Sequence, residues 1–294
     1  MHSFLFFLYI WHYEAEKHSL FSVFSFKEAA TIVDTTINGI GLRALRLGGA
    51  VLKNYYGKVN RIEHKGKLDL VTDVDHRSEN AIVEYLRGEC PEHGILTEEQ
   101  AEIAARSGSR WIMDPLDGTT NYAHGYPFFC VSLAFEHNGA VIWGGVYDPL
   151  RDELFSAQQN AGAWLNDCPL AVSRAGDLES AFLCTGFPYD VHDCDDDNTA
   201  NFLRFLKKAR AVRRDGSAAL DLCYVACGRF DGFWEMKLKP WDIAAGWLMV
   251  REAGGRVSGF DGTAFHPFRH DIVASNSVIH DSMLELLAAK DKND

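Results

Sequence analysis

The stretch Trp111-Ile-Met-Asp114-Pro-Leu-Asp117-Gly-Thr-Thr-Asn121 places two aspartates three residues apart, directly after an apolar run. The apolar run predicts a buried strand that stops at Pro115, and Gly118 indicates the turn that follows it. Side chains three residues apart can converge across such a turn, whereas in a continuing strand they would face opposite sides. The segment after Asp117 is typical of the first turn of a helix, whose free amides attract anions.

This pattern brings carboxylates, which bind hard cations, next to amides, which bind phosphate. Metal-assisted phosphoryl transfer needs both, because divalent ions neutralise the ester, activate water and stabilise the leaving oxygen. Taken alone, Asp114 and Asp117 are also explained as ordinary turn and capping residues. Three further acidic segments favour the metal site, and each lies next to a predicted strand or helix: Leu68–Asp75, Thr97–Glu99 and Lys239–Gly246.

Hydrophobic periodicity predicts a mixed α/β fold. A capping box at Ser25–Glu28 predicts a long helix to about Tyr56, and Ser78–Leu86 suggests a second helix. Alternation of apolar and polar residues from Phe128 to about Trp164 predicts antiparallel strands. A short strand is expected at 94–96. The second half returns to helices at 198–208, 217–227, 241–253 and 279–289, with strands near 181–185, 210–214, 230–236 and 271–275.

Composition describes a globular chain of 294 residues, 47% hydrophobic and 24% charged, which excludes a disordered, collagen-like or coiled-coil protein. The net charge of −12 disfavours sequence-independent binding to nucleic acid, so we expect no nucleic-acid partner. The seven cysteines are scattered and form no C-x-x-C pair. We therefore expect reduced thiols in a cytoplasmic protein rather than a disulfide framework or a zinc site.

Residues 1–25 form a hydrophobic N-terminal extension. Its apolar run Phe4–Trp11 is too short to cross a bilayer and lacks a basic n-region and a cleavage site, so we expect no membrane span and no secretory signal. No repeat or Pro/Ser-rich linker divides the rest of the chain. We expect one compact unit of two fused lobes, with the metal and phosphate motifs in residues 26–175 and the substrate-side residues in 176–294.

In their order and spacing, the acidic segments resemble the inositol monophosphatase family of lithium-sensitive, magnesium-dependent phosphatases, and Phe187-Pro-Tyr-Asp190 resembles its bacterial and archaeal members more closely. The resemblance covers about residues 27–290 and rests on Asp-Leu-Val-Thr-x-x-Asp ending at Asp75, the Glu98-Glu99 pair, the 111–121 stretch and Trp-Asp-Ile-Ala-Ala-Gly ending at Gly246. It implies an α/β (α+β) fold, a five-layer αβαβα sandwich of the sugar-phosphatase type. It also implies a homodimer with up to three Mg²⁺ ions in one cleft.

The resemblance also implies a set of metal ligands, position by position. The first metal would be held by Glu98, Asp114 and the backbone carbonyl of Leu116. The second would be held by Asp114, Asp117 and Asp242, and a third, weaker ion would sit on Glu98 and water. Carboxylate and carbonyl oxygens are the donors that hard cations prefer, so these implied roles are chemically consistent.

Catalytic and phosphate-binding roles follow from the same resemblance. Thr119, supported by Asp75, and Glu98 would orient the attacking water. Asp75 would also lie close to the third ion. The amides of Gly118 and Thr119 would receive the phosphate. A hydroxyl that is hydrogen-bonded to a carboxylate can position water for in-line attack, which is the chemistry these roles require.

The resemblance implies that the alcohol part of the substrate contacts Asp117, Gly216, Ser217, Ala218 and Glu235. Glu235, in Phe-Trp-Glu-Met, matches the acid that accepts hydrogen bonds from inositol hydroxyls. The alternative is that Glu235 is an ordinary solvated strand residue. The segment at Gly216 is not a G-x-S-x-G nucleophile elbow, so a serine hydrolase is not supported.

The predicted reaction is therefore Mg²⁺-dependent hydrolysis of a small phosphorylated polyol or sugar, with inositol 1-phosphate as the first choice. Fructose 1,6-bisphosphate and histidinol phosphate are alternative substrates within the same fold. A different class of function is an interaction protein associated with the transcription machinery, with or without phosphatase activity. The complete set of acidic residues favours the enzyme.

Overall fold

The computed structural model describes residues 37–58, 62–64 and 70–289. The predicted extension 1–25 and the capping box at Ser25–Glu28 lie outside these residues. The chain divides into two units, Met1–Ile40 and Gly41–Asp294. Of the first unit, residues 37–40 are described, and they are helical. Within the described ranges, no helix is both long and apolar enough to cross a membrane.

The first large sheet has seven strands. A separate antiparallel pair precedes it, formed by β1 (Ile62–His64) and β2 (Leu70–Thr72). The sheet order is β3-β4-β5-β6-β7-β8-β9, in which β3 and β4 are parallel and each later pair is antiparallel. This confirms the antiparallel strands predicted after Phe128. The seven strands are Gly94–Thr97, Ser109–Asp117, Cys130–His137, Ala140–Asp148, Glu153–Gln158, Gly162–Leu165 and Cys168–Pro169.

The second sheet has five strands in the order β11-β10-β12-β14-β13. β10 is parallel to both β11 and β12, whereas β14 is antiparallel to β12 and β13. Because β10 and β12 are parallel neighbours, their carboxyl ends lie at the same edge of the sheet. The five strands, β10 to β14, are Phe182–Thr185, Ala211–Arg213, Gly232–Met236, Arg256–Ser258 and Asp271–Ser275.

Helices cover both sheets and also separate them. α5 and α6 each contact strands of both sheets, α2 contacts β4, and α7 contacts β14 and α4. α1 lies on the outer side of the first sheet, because an added Cβ on Gly145 of β6 would meet Leu45 while one on Gly144 would meet Ala245 of α6. The layers are therefore αβαβα, as predicted. The helices α1 to α7 are 37–55, Asp73–Glu89, Thr119–Ala123, Thr199–Leu206, Ala218–Ala226, Pro240–Glu252 and His280–Ala288.

Close backbone approach holds the central helix layer in place. A Cβ on Gly144 would lie 2.9 Å from Cα of Ala245, and a Cβ on Gly246 would lie 2.6 Å from Cβ of Leu222. Glycine at these two positions lets α6 approach the first sheet and α5 more closely than side chains would permit. The amino ends of α5 and α6 are thereby fixed, and both line the cleft described below.

α2 begins at Asp73, five residues before the predicted start at Ser78. Thr72 caps the helix, since its hydroxyl accepts from the amide of Val74 (3.2 Å) and its own amide donates to Oδ2 of Asp75 (2.8 Å). This reciprocal arrangement satisfies amides that have no acceptor within the helix. The earlier start places Asp75 in the first turn of α2, at a fixed orientation.

The predicted end of a strand at Pro115 is wrong, because β4 continues to Asp117. Asp114 pairs with Ser132 and Asp117 pairs with Cys130, so the register shifts by a β-bulge between the two aspartates. Ser132 and Cys130 are two residues apart and share a face of β5, so the bulge brings Asp114 and Asp117 to one side of the sheet. Pro115 lies within the bulge, where a missing amide proton breaks no regular ladder bond.

Candidate active site

A cleft with a cavity volume of about 480 Å³ lies at the carboxyl end of β4, the amino ends of α3, α5 and α6, and the ends of β10 and β12. The structure brings nearly all of the predicted site residues to its wall. Asp75 does not line it, but lies behind Thr119 and is hydrogen-bonded to it. The predicted residues on the wall are Glu98, Asp114, Leu116, Asp117, Gly118, Thr119, Gly216, Ser217, Ala218, Glu235 and Asp242.

Asp114 lies in the buried part of β4, with 2% of its surface exposed. Its Oδ1 accepts a hydrogen bond from the amide of Leu116 at 2.9 Å. Burial raises the pKa of Asp114 well above its ordinary value, and the charges of Glu98, Asp117 and Asp242 raise it further. The four carboxylates are therefore close enough to repel one another, and Asp114 lies among them.

Asp117 is held by the helix that follows the substrate-side turn. Its Oδ2 accepts from the hydroxyl of Ser217 at 2.7 Å and from the amide of Ala219 at 2.8 Å. Burial raises the pKa of Asp117 to about 6, although both hydrogen bonds act in the opposite direction. Ser217 was predicted to contact the alcohol part of the substrate, and its hydroxyl also connects α5 to β4.

Asp242 lies in the first turn of α6, where its Oδ2 accepts from the amide of Lys239 at 2.7 Å. Burial raises the pKa of Asp242 well above its ordinary value, and the charges of Glu98 and Asp117 add to the effect. The carboxylate therefore has two roles in its surroundings. It caps α6 and it faces the carboxylates of the first sheet.

The donor chemistry of this group fits a hard divalent cation. The side chains are carboxylates, Leu116 lines the cleft with them, and the charges of Glu98 and Asp117 raise the pKa of both Asp114 and Asp242. A cation would remove that repulsion. Among the described residues, no three His, Cys, Asp or Glu side chains lie close enough to form a complete metal-binding cluster. The structure thus defines a set of oxygen donors, and the division of those donors among ions stays a prediction.

A chain of hydrogen bonds leads from α2 into the cleft. The hydroxyl and the amide of Thr72 donate to Oδ2 of Asp75 at 2.5 and 2.8 Å. Oδ1 of Asp75 faces the hydroxyl of Thr119 at 2.9 Å, and that hydroxyl also lies 3.0 Å from the carbonyl of Leu116. Burial raises the pKa of Asp75. The Thr119 proton is directed at protein acceptors, so its oxygen can accept a hydrogen bond from water.

Glu235 lies near the end of β12 with 8% of its surface exposed, so it is not a solvated strand residue. Burial raises the pKa of Glu235 to about 8; the charge of Asp117 acts in the same direction, and Arg214 acts against it. Gly186, after β10, lies directly against it, and a Cβ there would clash with the Glu235 carboxylate. The two strand ends therefore form the wall of the cleft opposite β4.

Sequence reasoning gave no role to Asn121, which the structure places between the two halves of the site. Its Nδ2 donates to the carbonyl of Phe128 at 2.8 Å and to that of Asp215 at 2.7 Å. The next residue, Gly216, has φ of 86°, in the left-handed region that glycine adopts without strain. Asn121 and Asp215 are 94 positions apart, so no local pattern could show this contact.

The model of the inositol monophosphatase family matches residues 35–292 of this chain. The chain belongs to the inositol monophosphatase family. It is therefore a phosphoric monoester hydrolase, and this family is metal-dependent. The motifs that carried the resemblance all lie within the matched residues.

Several relatives are similar over most of their length. An inositol-1-monophosphatase from Synechocystis sp. is 43% identical over 252 residues, covering 85% of this chain and 88% of the relative. The Nus factor SuhB of Escherichia coli (strain K12) is 42% identical, covering 83% and 93%. A crystal structure of the extragenic suppressor protein suhB from Bartonella henselae superposes with a TM-score of 0.82 at 38% identity, covering 87% of this chain and 99% of that one.

Proposed function

We propose that this protein hydrolyses inositol 1-phosphate to inositol and phosphate, with Mg²⁺ as the cofactor and up to three ions in the cleft. The observation that carries the proposal is the placement of four carboxylates on one cleft, beside the amino end of α3, where the charges of Glu98 and Asp117 raise the pKa of Asp114 and Asp242. Family membership supports the reaction type. The Synechocystis relative, an inositol-1-monophosphatase, supports the choice of substrate.

The turn between β4 and α3 binds the phosphate ester. The amides of Gly118 and Thr119 lie at the start of α3, where helix amides have no internal acceptor, and they bind the phosphate oxygens. Thr119 accepts a hydrogen bond from the attacking water, because its own proton is directed at Asp75 or Leu116. The carboxylates of Glu98, Asp114, Asp117 and Asp242 would hold Mg²⁺, which would neutralise phosphate charge and increase the acidity of the attacking water.

Residues at the end of β12 bind the alcohol part of the substrate. Glu235 accepts hydrogen bonds from hydroxyl groups of the inositol ring, which fixes the ring while the ester bond breaks. Asp117, Gly216, Ser217 and Ala218 line the cleft between the ring and the phosphate. Asp117 cannot move freely, because Ser217 and Ala219 hold its Oδ2. The reacting groups are therefore positioned by β4, β12 and the starts of two helices.

The proposal extends to properties of the whole protein. Li⁺ competes for the weakest Mg²⁺ position and inhibits turnover. The protein is a homodimer in the cytoplasm, and its seven free cysteines support a reducing compartment. Residues 26–175 and 176–294 act as two lobes of one unit; the first sheet ends at Pro169 and the second begins at Phe182, which supports a boundary near 175.

The test is a panel of phosphate esters with Mg²⁺, measured as released phosphate: inositol 1-phosphate, fructose 1,6-bisphosphate, histidinol phosphate and p-nitrophenyl phosphate. We expect the highest kcat/KM for inositol 1-phosphate and no turnover in excess EDTA. A higher kcat/KM for another ester would identify that ester, and not inositol 1-phosphate, as the preferred substrate. Full activity after exhaustive EDTA treatment would overturn the metal-dependent mechanism.

Thr119→Val should lower kcat on the order of 10- to 100-fold, because valine keeps the shape of threonine but cannot accept a hydrogen bond from water. p-Nitrophenyl phosphate is the substrate to use, since it has no hydroxyl groups that bind to the alcohol side of the cleft. Thr119→Ser is the matched control, because it keeps the hydroxyl that faces Asp75. An equal loss in Thr119→Ser, which keeps the hydroxyl, would show that loss of the hydroxyl alone does not explain the effect of Thr119→Val.

We infer a second candidate function from the similarity to Nus factor SuhB, which is 42% identical over 248 residues. This protein would associate with the transcription machinery, with or without turnover. The test is co-purification with a transcription elongation complex, using the wild-type chain and Asp242→Asn. Binding by both would give a role that is separate from catalysis, and binding by neither would leave phosphatase activity as the function.

A further inference from the structure

Asp221 is a buried carboxylate on the cleft wall that the proposed mechanism does not use. It lies in the first turn of α5, one turn after Ser217, and 1% of its surface is exposed. Its Oδ1 is buried and has no hydrogen-bond partner. Buried polar atoms in folded proteins are nearly always hydrogen-bonded, so an unpaired carboxylate oxygen beside a substrate cleft points to a missing partner.

The surroundings of Asp221 place it on the alcohol side of the cleft. The charge of Glu235 raises the pKa of Asp221 and that of Arg214 lowers it, while burial is the largest cause of the upward shift. The charge of Asp221 in turn raises the pKa of Cys184 on β10. α5 packs against β10 and β12, so Asp221 lies on the side of α5 that faces these strands and Glu235.

We infer that Asp221 and Glu235 form a two-carboxylate subsite in which Asp221 accepts a hydrogen bond from a second hydroxyl group of the substrate alcohol. The inference rests on the proposed function and adds a specificity-determining residue to it. Two acceptors on one wall select an alcohol that carries at least two free hydroxyl groups. A phosphate ester with no such hydroxyl leaves Oδ1 of Asp221 unpaired in the complex as well.

A hydroxyl donor fits this wall better than a second anionic group of the substrate. Burial raises the pKa of Asp221 most, and the carboxyl groups of Asp215, Glu235 and Asp117 raise it further, so another negative charge is disfavoured at this position. Arg214 is exposed at the rim and opposes that effect only in part. An anion placed beside Asp221 would be repelled, whereas a neutral hydroxyl both satisfies the buried oxygen and adds no charge.

The experiment compares Asp221→Asn with wild type on inositol 1-phosphate and on p-nitrophenyl phosphate. We expect kcat/KM for inositol 1-phosphate to fall about 10-fold, mostly through KM, because a hydrogen bond to a carboxylate is stronger than one to an amide. The kcat/KM for p-nitrophenyl phosphate should change by less than about 2-fold, since this ester has no hydroxyl group that could bind to Asp221. Asp215→Asn is the matched control, because it removes a charge near Asp221 from a residue that does not line the cleft.

Each result decides the inference. Equal losses on both esters in a folded variant, judged by its thermal melting curve, would make Asp221 a structural support and overturn it. Equal losses in Asp221→Asn and Asp215→Asn would assign the effect to charge alone and also overturn it. Histidinol phosphate is measured alongside, and a loss on it with none on inositol 1-phosphate would assign the subsite to an ammonium group and overturn the inference.

Failure of the proposed function is recognised in wild type alone. Wild type that hydrolyses p-nitrophenyl phosphate but not inositol 1-phosphate rejects the proposed substrate. The same Asp221→Asn comparison is then made with fructose 1,6-bisphosphate, which carries free hydroxyl groups. A selective loss there supports the subsite, and an unchanged kcat/KM overturns it.

Discussion

Replacing Asp242 by asparagine is expected to lower kcat/KM on the order of 100-fold or more for every phosphate ester that the protein hydrolyses. The variant removes one negative charge from the carboxylate group that the cation would neutralise, and that group serves all substrates alike. Asparagine still offers an oxygen to the amide of Lys239, so the start of α6 is preserved. The loss therefore reports on charge and not on helix capping.

Melting temperature measured with and without Mg²⁺ gives a second readout for this variant. In EDTA, Asp242→Asn should be more stable than wild type, because burial and the charges of Glu98 and Asp117 disfavour an ionised Asp242. Added Mg²⁺ should then stabilise the variant less than wild type. Asp281→Asn, in the first turn of α7 and not among the residues that line the cleft, is the control for loss of one carboxylate, and Mg²⁺ should stabilise it as much as wild type. A variant with unchanged Mg²⁺ stabilisation would show that Asp242 does not contribute to cation binding.

The sequence predicted the composition of the site better than its internal contacts. The paired aspartates, the acidic segment at Glu98 and the start of α6 are contiguous motifs, and the structure brings them into one cleft. Asn121 and Asp221 were not recognised, since their roles depend on partners or burial that arise only in the folded chain. A buried oxygen without a partner has no signature in a local sequence pattern.

The fold was predicted closely where apolar segments are long and less well where pairing is long-range. The helices near 218–226 and 240–252 and the first strand after Phe128 match, because each is a nearly continuous apolar segment that the fold buries. β13 was not predicted, since Arg256–Ser258 is three residues long and is defined by its pairing with β14. The bulge in β4 was read as a strand end because proline stops regular pairing, and a bulge accommodates it equally well.

Glu235→Gln should make the metal-free protein less sensitive to alkaline pH. In the folded protein the pKa of Glu235 is raised from 4.5 to about 8, mainly by burial. A raised pKa means that the protonated side chain stabilises the folded state below pH 4.5, and that this contribution is lost as the pH rises towards 8. Glutamine stays neutral, so the variant has no such loss. The difference between wild type and variant should grow by on the order of 3 kcal/mol between pH 5 and pH 8.

Urea unfolding in EDTA at pH 5, 6.5 and 8 measures this difference directly, because the free energy of unfolding is obtained at each pH. Glu84→Gln, an exposed carboxylate on α2, is the matched control and should follow wild type at all three values. If Glu235→Gln also followed wild type in parallel, Glu235 would be ionised in the folded protein throughout this range. The β12 wall would then present a permanent negative charge to the cleft, and a cationic alcohol would fit it better than the neutral hydroxyl groups of inositol.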